Sequence, residues 1–206
     1  MKRTVAPEIL DSLDSSDPRA LRSRQDLRLI NTFMAGESWI LRELSKLQPS
    51  KVVELGAGEG TLVNKIKAQF NTAQVIGVDL VPEPSSVHAE VEWHQGDVLE
   101  YQGFGDDTVV VANLFIHHLD AAQLNQLGKA LSGAGTLLFA EPLRAHVPKM
   151  MGRCLFPFIN DVTRHDMIVS IEAGFQEGEL AELMPSFSWK ESQGIFGGLR
   201  MKGVPH

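Results

Sequence analysis

The sequence predicts an α/β fold: a doubly wound, mostly parallel seven-stranded sheet with helices on both faces and a C-terminal β-hairpin. Short β-rich runs alternate with amphipathic helical stretches between residues 51 and 141, the pattern that right-handed crossovers produce. The strand candidates are apolar on both sides, as parallel strands covered by helices are. The run Val52-Val53-Glu54-Leu55-Gly56-Ala57-Gly58-Glu59-Gly60-Thr61 passes from a strand through a glycine turn straight into a helix. In open α/β sheets ligands bind there, outside the carboxyl ends of the strands.

The elements follow in order. Residues 1–20 are polar and proline-punctuated, and they read as loose. From Leu21 to Leu47 apolar residues recur at helical spacing, with Leu27, Ile30, Phe33 and Met34 before Gly36, and Ile40, Leu41, Leu44 and Leu47 after it. Gly36 divides the stretch into two helices, Ser38 caps the second, and Pro49 closes the segment. Lys51–Leu55 is the first strand, Gly60–Phe70 a helix, and Ala73–Leu80, Val91–His94 and Thr108–Asn113 the next three strands. Asp120–Leu131 is an amphipathic helix with Leu124, Leu127 and Leu131 on one face, and Gly135–Glu141 is the fifth strand. From Glu141 to about Ser170 the pattern is irregular, broken by Pro142, Pro148 and Pro157. A short helix over Gln176–Met184 and strands Phe187–Phe196 and Gly198–Val204 complete the chain, with Gly194 and Gly197-Gly198 turning the hairpin.

Composition narrows the function. The 206 residues suit one domain, and 43% hydrophobic with 22% charged content is ordinary for a folded chain. Nineteen Lys and Arg against 26 Asp and Glu give a net charge of −7, a field that opposes polyanions, so no nucleic-acid partner is expected. The single cysteine, Cys154, excludes an intrachain disulfide and a Cys-based zinc cluster, and fits a reducing cytoplasmic location. No apolar run reaches signal-peptide or membrane-span length, so no membrane association is expected.

The glycine spacing discriminates between ligands. Glycines at 56, 58 and 60 do not form the dinucleotide fingerprint, and no Gly-Lys-Ser/Thr phosphate loop follows. Glu54 stands two residues before the first glycine, where it would repel a pyrophosphate and suits a ligand carrying an amino group. The second strand ends at Val78-Asp79-Leu80, where an acid can accept from ribose hydroxyls. The third leads to Gly96-Asp97-Val98, where a carboxylate can accept from an exocyclic amine such as adenine N6. Together they describe an adenosine with a cationic amino-acid tail, and S-adenosylmethionine fits that description.

Glu54–Gly60, Val75–Asp79, Gly96-Asp97-Val98 and Asn113-Leu114-Phe115-Ile116-His117-His118-Leu119 occur in the order found in class I S-adenosylmethionine-dependent methyltransferases, and residues 51–141 resemble that Rossmann-like core. The resemblance implies that Glu54 and Gly56 line the methionine end, Asp79 holds the ribose, and Asp97 and Val98 hold the adenine, with Asn113 closing the pocket beside the sulfonium; Ala57, Gly58, Gly60 and Leu80 are further cofactor-binding candidates. Leu13–Asn31, Glu141–Arg144 and Thr163-Arg164-His165-Asp166 through Ser170 are similar to a group of small bacterial methyltransferases of the kind encoded beside type III polyketide synthases, which implies an aromatic or polyketide acceptor. Glu141 stands where that group is expected to carry an Asn-Asp pair.

The expected division is 1–50 as a helical cap, 51–141 as the cofactor half and 142–206 as substrate cover and closing strands. His117, His118 and His165 are candidate bases, with His117 favoured slightly, because histidine titrates near neutral pH. The alternative for the His117-His118 pair is a structural strand-end turn. Arg144, Arg164 and His165 are candidates for holding an acceptor, or else pair with Asp161 and Asp166. Met150, Met151, Phe156 and Phe158 read as core before pocket. No metal site is expected. The function expected is O-methylation of a phenolic or polyketide-like small molecule by a monomer or homodimer, against an RNA or protein methyltransferase or a non-catalytic S-adenosylmethionine-binding scaffold.

Overall fold

The computed structural model describes residues 1–14, 16–194 and 196–206, without the side chains of Met151 and Cys154, so the reading of Met151 lies outside the described residues. Its strands are β1 (Lys51–Leu55), β2 (Gln74–Asp79), β3 (Val91–Gln95), β4 (Thr108–Asn113), β5 (Thr136–Pro142), β6 (Phe187–Gln193) and β7 (Gly198–Pro205), in the sheet order 3-2-1-4-5-7-6. β1 to β5 run parallel, and β7 pairs antiparallel with both β5 and β6. The strand order reverses between β1 and β4, and their register aligns Leu55 with Val78 on one side and Ala112 on the other. Gly56, Asp79 and Asn113 therefore emerge together at one edge, at the switch point where such sheets bind ligands.

The helices are α1 (Ile9–Ser12), α2 (Pro18–Met34), α3 (Gly36–Leu47), α4 (Thr61–Gln69), α5 (Ala121–Ala130), α6 (His146–Cys154), α7 (Asp161–Ala173) and α8 (Glu179–Leu183). One sheet face packs Val53, Leu55, Val110, Leu137 and Phe139 against Leu124, Leu127 and Leu131. The other packs Val52, Val111 and Leu138 against Trp39, Ile40 and Leu44 of α3 and Leu62, Val63 and Ile66 of α4. Alternation along β1 thus sends Glu54 toward the α3/α4 face. Each leucine buried this way contributes roughly 1.5–3 kcal/mol. Among the described residues no helix is long and apolar enough to cross a membrane.

Three expectations are corrected. Residues 1–14 and 16–20 are not loose: α1 packs on α7, and α2 starts at Pro18 with the Asp17 carboxylate accepting from the Arg19 N–H. Ser38 does not cap α3, which begins at Gly36 after Ala35 turns the chain in the left-handed region (φ 55°). The irregular stretch after Glu141 holds two helices. Pro148 falls in the first turn of α6, where no N–H is required of it, and Asn160 caps α7 by accepting from the Thr163 N–H.

Candidate active site

The glycine turn is bound to the second strand. The N–H groups of Gly56 and Ala57 donate to the Val78 carbonyl at 2.9 and 3.3 Å, and Gly58 N–H donates to Asp79 Oδ2 at 2.7 Å. Gly56 (φ 66°) and Gly58 (φ 52°) occupy the left-handed region, and a Cβ on Gly56 would sit 2.0 Å from the Phe115 ring. The other Asp79 oxygen accepts from the Val81 N–H at 3.0 Å. Gly96 N–H donates to the Asp79 carbonyl, which ties the Gly96-Asp97 turn to this edge.

A cavity of about 360 Å³ opens between this turn, the end of β4 and the N-terminal helices, lined by Glu54, Gly56, Ala57 and Asn113 with Asn31 and Glu37 opposite. Gly58, Gly60, Asp79, Leu80, Asp97 and Val98 are not among the residues that line it. Asp97 is exposed and accepts from the Leu99 N–H, Val98 is buried, and Leu80 is 72% exposed. Glu54 is 4% exposed, and its Oε2 has no hydrogen-bond partner among the described residues. Burial, and then the Glu37 charge, push its carboxyl well above the usual range, against the Val63 N–H, which lowers it. A buried carboxyl so placed is costly until it meets a cationic donor. An ammonium-bearing ligand fits it; the cations on the same wall, Arg24, Arg28 and Lys65, pair with Glu59 at 3.8 and 2.6 Å and with Glu37.

A second cavity of about 410 Å³ lies beside the first. Leu27, Ile30, Phe33 and Met34 of α2, with Leu155, Met167 and Ile171, make it apolar, and its polar groups include Glu8, His117, His118 and Ser170. Leu27 and Asn31 line both cavities. The strand-end turn does the same from the other side: Leu114 takes a left-handed conformation (φ 55°), with its N–H on the Ala140 carbonyl at 2.8 Å. That conformation costs a side-chain-bearing residue roughly 1–2 kcal/mol. It leaves Asn113 on the first cavity and Leu114, His117 and His118 on the second.

His117 is 2% exposed, with Nδ1 at 2.7 Å from Glu141 Oε2. The other Glu141 oxygen accepts from the Phe115 and Ile116 N–H groups, both at 3.0 Å. The His117 Nε2 lies 3.9 Å from Glu8 Oε1 and makes no hydrogen bond among the described residues. Burial opposes charging of this ring, but the Glu141 and Glu8 carboxylates outweigh it and lift its pKa to about 9. His118 lies against it at 4.2 Å between ring centroids, and burial followed by the His117 charge lowers its pKa.

Other expected residues fall elsewhere. Arg144 is 2% exposed; its guanidinium donates to both Glu179 carboxylate oxygens and to the Gly174 carbonyl, so it holds the chain rather than an acceptor or Asp161 and Asp166. Arg164 and His165 line neither cavity, and His165 pairs with Asp166 from an exposed position. Met150 (64% exposed) and Phe158 (74% exposed) are not core, whereas Phe156 packs against Ile159, Met167 and Ile171. Sequence reasoning missed Glu8, because its segment read as loose, and Asn31, because the apolar spacing of its helix singles out only the residues around it. Glu141 carried a usable signal: like Glu54, it is an acid ending an apolar strand.

Residues 52–135 match the family model described as a methyltransferase domain. Curated protein sequences give no significant match. Among solved structures, the plantazolicin methyltransferase BpumL bound to S-adenosylhomocysteine is similar at TM-score 0.72 and 13% identity, covering 93% of this chain and 91% of that one. A Nostoc punctiforme protein described as an O-methyltransferase is similar at TM-score 0.64 and 15% identity, over 98% of this chain, which spans only 64% of that protein's length. Human N-acetylserotonin methyltransferase bound to S-adenosylmethionine is similar at TM-score 0.63 and 11% identity, with 95% and 61% covered. With the observed strand order and glycine turn, these findings show that residues 52–135 carry the methyltransferase-domain match and that the chain has the fold of class I, S-adenosylmethionine-dependent methyltransferases.

Proposed function

We propose that the protein transfers a methyl group from S-adenosylmethionine to a hydroxyl oxygen of a small apolar acceptor, phenolic or polyketide-like. The observation that carries this reading is the second cavity: it is apolar, it ends on the His117-His118 turn, and it shares Leu27 and Asn31 with the cofactor cavity. Neighbours named for O-methylation and for N-acetylserotonin support a small acceptor.

S-adenosylmethionine supplies a sulfonium methyl and, after transfer, a neutral thioether leaving group. Glu54 receives the amino group, Asp79 the ribose hydroxyls, Asp97 and Val98 the adenine, and Asn113 closes the reacting end. The turn at Leu114 and the α2 residues orient the acceptor and exclude water. Alignment of this kind contributes roughly 7–11 kcal/mol in favourable intramolecular cases. A phenol with a pKa of about 10 is a weak nucleophile until a base takes its proton, and a histidine at the polar end of the cavity serves.

Calorimetry with S-adenosylmethionine and a panel of neutral phenols read by S-adenosylhomocysteine formation test this function. Binding and turnover are expected; absence of cofactor binding, or turnover only with RNA or protein, overturns the reading.

A further inference from the structure

The segment before α2 is gripped at the catalytic turn. The Arg3 guanidinium donates to the carbonyls of Ala173 at 2.7 Å, His117 at 2.9 Å and Leu119 at 2.7 Å, and lies 4.7 Å from the Phe175 ring centroid. The N–H groups of Ile9 and Leu10 donate to the Asp166 carboxylate at 2.8 and 3.0 Å. Between these anchors Glu8 enters the acceptor cavity with its side chain 11% exposed, and the Ser170 hydroxyl donates to it. Nitrogen or oxygen atoms of Glu8, His117 and His118 all lie within 4.8 Å of one another.

We propose that Glu8 is a positioning residue of the acceptor site: with Glu141 it holds His117 protonated on both ring nitrogens, which leaves His118 to take the proton of the acceptor hydroxyl. This rests on the hydroxyl-methylation reading above. The charged groups around the pair are Glu8 and Asp11 from the arm, Glu141 from β5 and the Arg3 guanidinium on the His117 carbonyl, with Asp166 of α7 acting on Asp11; from α2 the same cavity is lined by apolar Leu27, Ile30, Phe33 and Met34 and by the uncharged Asn31. Carboxylates face both His117 nitrogens, Glu141 at 2.7 Å and Glu8 at 3.9 Å, so removing its proton would leave a buried acid and a half-buried one without their cation. The ring nitrogens of His118 meet no hydrogen-bonding side chain among the described residues, and the ring lines the cavity. In the step, His118 accepts the hydroxyl proton, the oxygen forms a bond to the methyl carbon, and the carbon–sulfur bond breaks with its electron pair remaining on sulfur. The positive charge of the sulfonium ends on the His118 imidazolium.

Histidine NMR titration of the whole protein, with kinetics of Glu8→Gln, Glu8→Asp and His118→Ala, tests the assignment. In the wild type the His117 resonances stay those of the charged ring past pH 8, and kcat/KM rises through a lower-lying His118 titration. Glu8→Gln lowers the His117 midpoint by about one unit. It also lowers kcat by about tenfold, with cofactor affinity unchanged, and Glu8→Asp restores part of both. His118→Ala costs roughly 100-fold or more in kcat/KM with the fold intact by circular dichroism. An unmoved His117 midpoint in Glu8→Gln, or full activity in His118→Ala, overturns the proposal. So does a stoichiometric divalent ion that is lost with Glu8→Gln, which would make the cluster a metal centre. If hydroxyl methylation itself is wrong, no phenol turns over, yet the His117 titration and its response to Glu8→Gln still report the clamp.

Discussion

Glu54 and His117 are both buried ionisable side chains, and they respond to pH in different ways. The Glu54 carboxyl is raised in the folded protein. An unfolded chain would ionise it near the usual carboxylate value, so its burial weakens the ligand-free fold as pH rises above that point. Glu54→Gln is expected to raise the melting temperature of the free protein at pH 7 while weakening S-adenosylmethionine binding roughly tenfold to 100-fold, the loss of a charged hydrogen bond worth about 1.5–3 kcal/mol. Differential scanning fluorimetry and calorimetry read the two effects separately. His117 works in the opposite sense, with a folded pKa of about 9 against an unfolded value of 6.5. Its contribution is fully present below pH 6.5 and is lost as pH rises through 9, on the order of 3 kcal/mol at most. Denaturant titrations between pH 6 and 9.5 should show that loss in the wild type and little of it in His117→Phe. Glu54 was legible because an acid breaks an apolar strand two residues before a glycine. Glu8 was not, because its partners Ser170 and His117 come from distant parts of the chain and no local pattern announces them.

At the scale of elements, α2 lines both cavities and α3 abuts the end of β4. The first residue of α3 meets the end of β4 so closely that a Cβ on Gly36 would lie 2.4 Å from Asn113 Oδ1 and 3.0 Å from the Ala140 Cβ. Gly36→Ala should therefore displace Asn113, cost about 1–3 kcal/mol of stability, and weaken cofactor binding in calorimetry. On the other side Phe33 meets Phe196 edge to face at 6.0 Å beside the acceptor cavity. Phe33→Ala should raise the acceptor KM with cofactor affinity unchanged. The two helices around Gly36 were legible from apolar spacing, and β1 and β4 were read with the boundaries observed. Helix α8 was legible as a short helix, but α6 and α7 were not, because Pro148 reads as a breaker although it lies in a first turn, where proline is tolerated.

Across the whole molecule, the acidic balance of the chain extends into the acceptor cavity. Glu8 is the charged carboxylate on its wall, beside the two histidines, and no Lys or Arg is among its lining residues. Of the cations expected there, Arg144 is tied to Glu179 and Arg164 does not line the cavity. A carboxylated acceptor would meet Glu8 without a compensating cation, so neutral phenols should exceed matched phenolic acids by at least about tenfold in kcat/KM. The mostly parallel, doubly wound sheet with its C-terminal hairpin was legible because alternating strands and helices leave few topologies. The selectivity was not, because it depends on which cations the fold uses for itself.

The shared wall of Leu27 and Asn31 has a kinetic consequence. A side chain that touches both cavities cannot move for one ligand without being felt by the other, so exchange of the two ligands is coupled. Spent cofactor should leave more slowly while methylated product is in place, and product inhibition should follow an ordered pattern, with the acceptor adding to the cofactor-bound form. Asn31→Ala would loosen that order toward random addition, visible as a change of inhibition pattern before any change in the rate of methyl transfer.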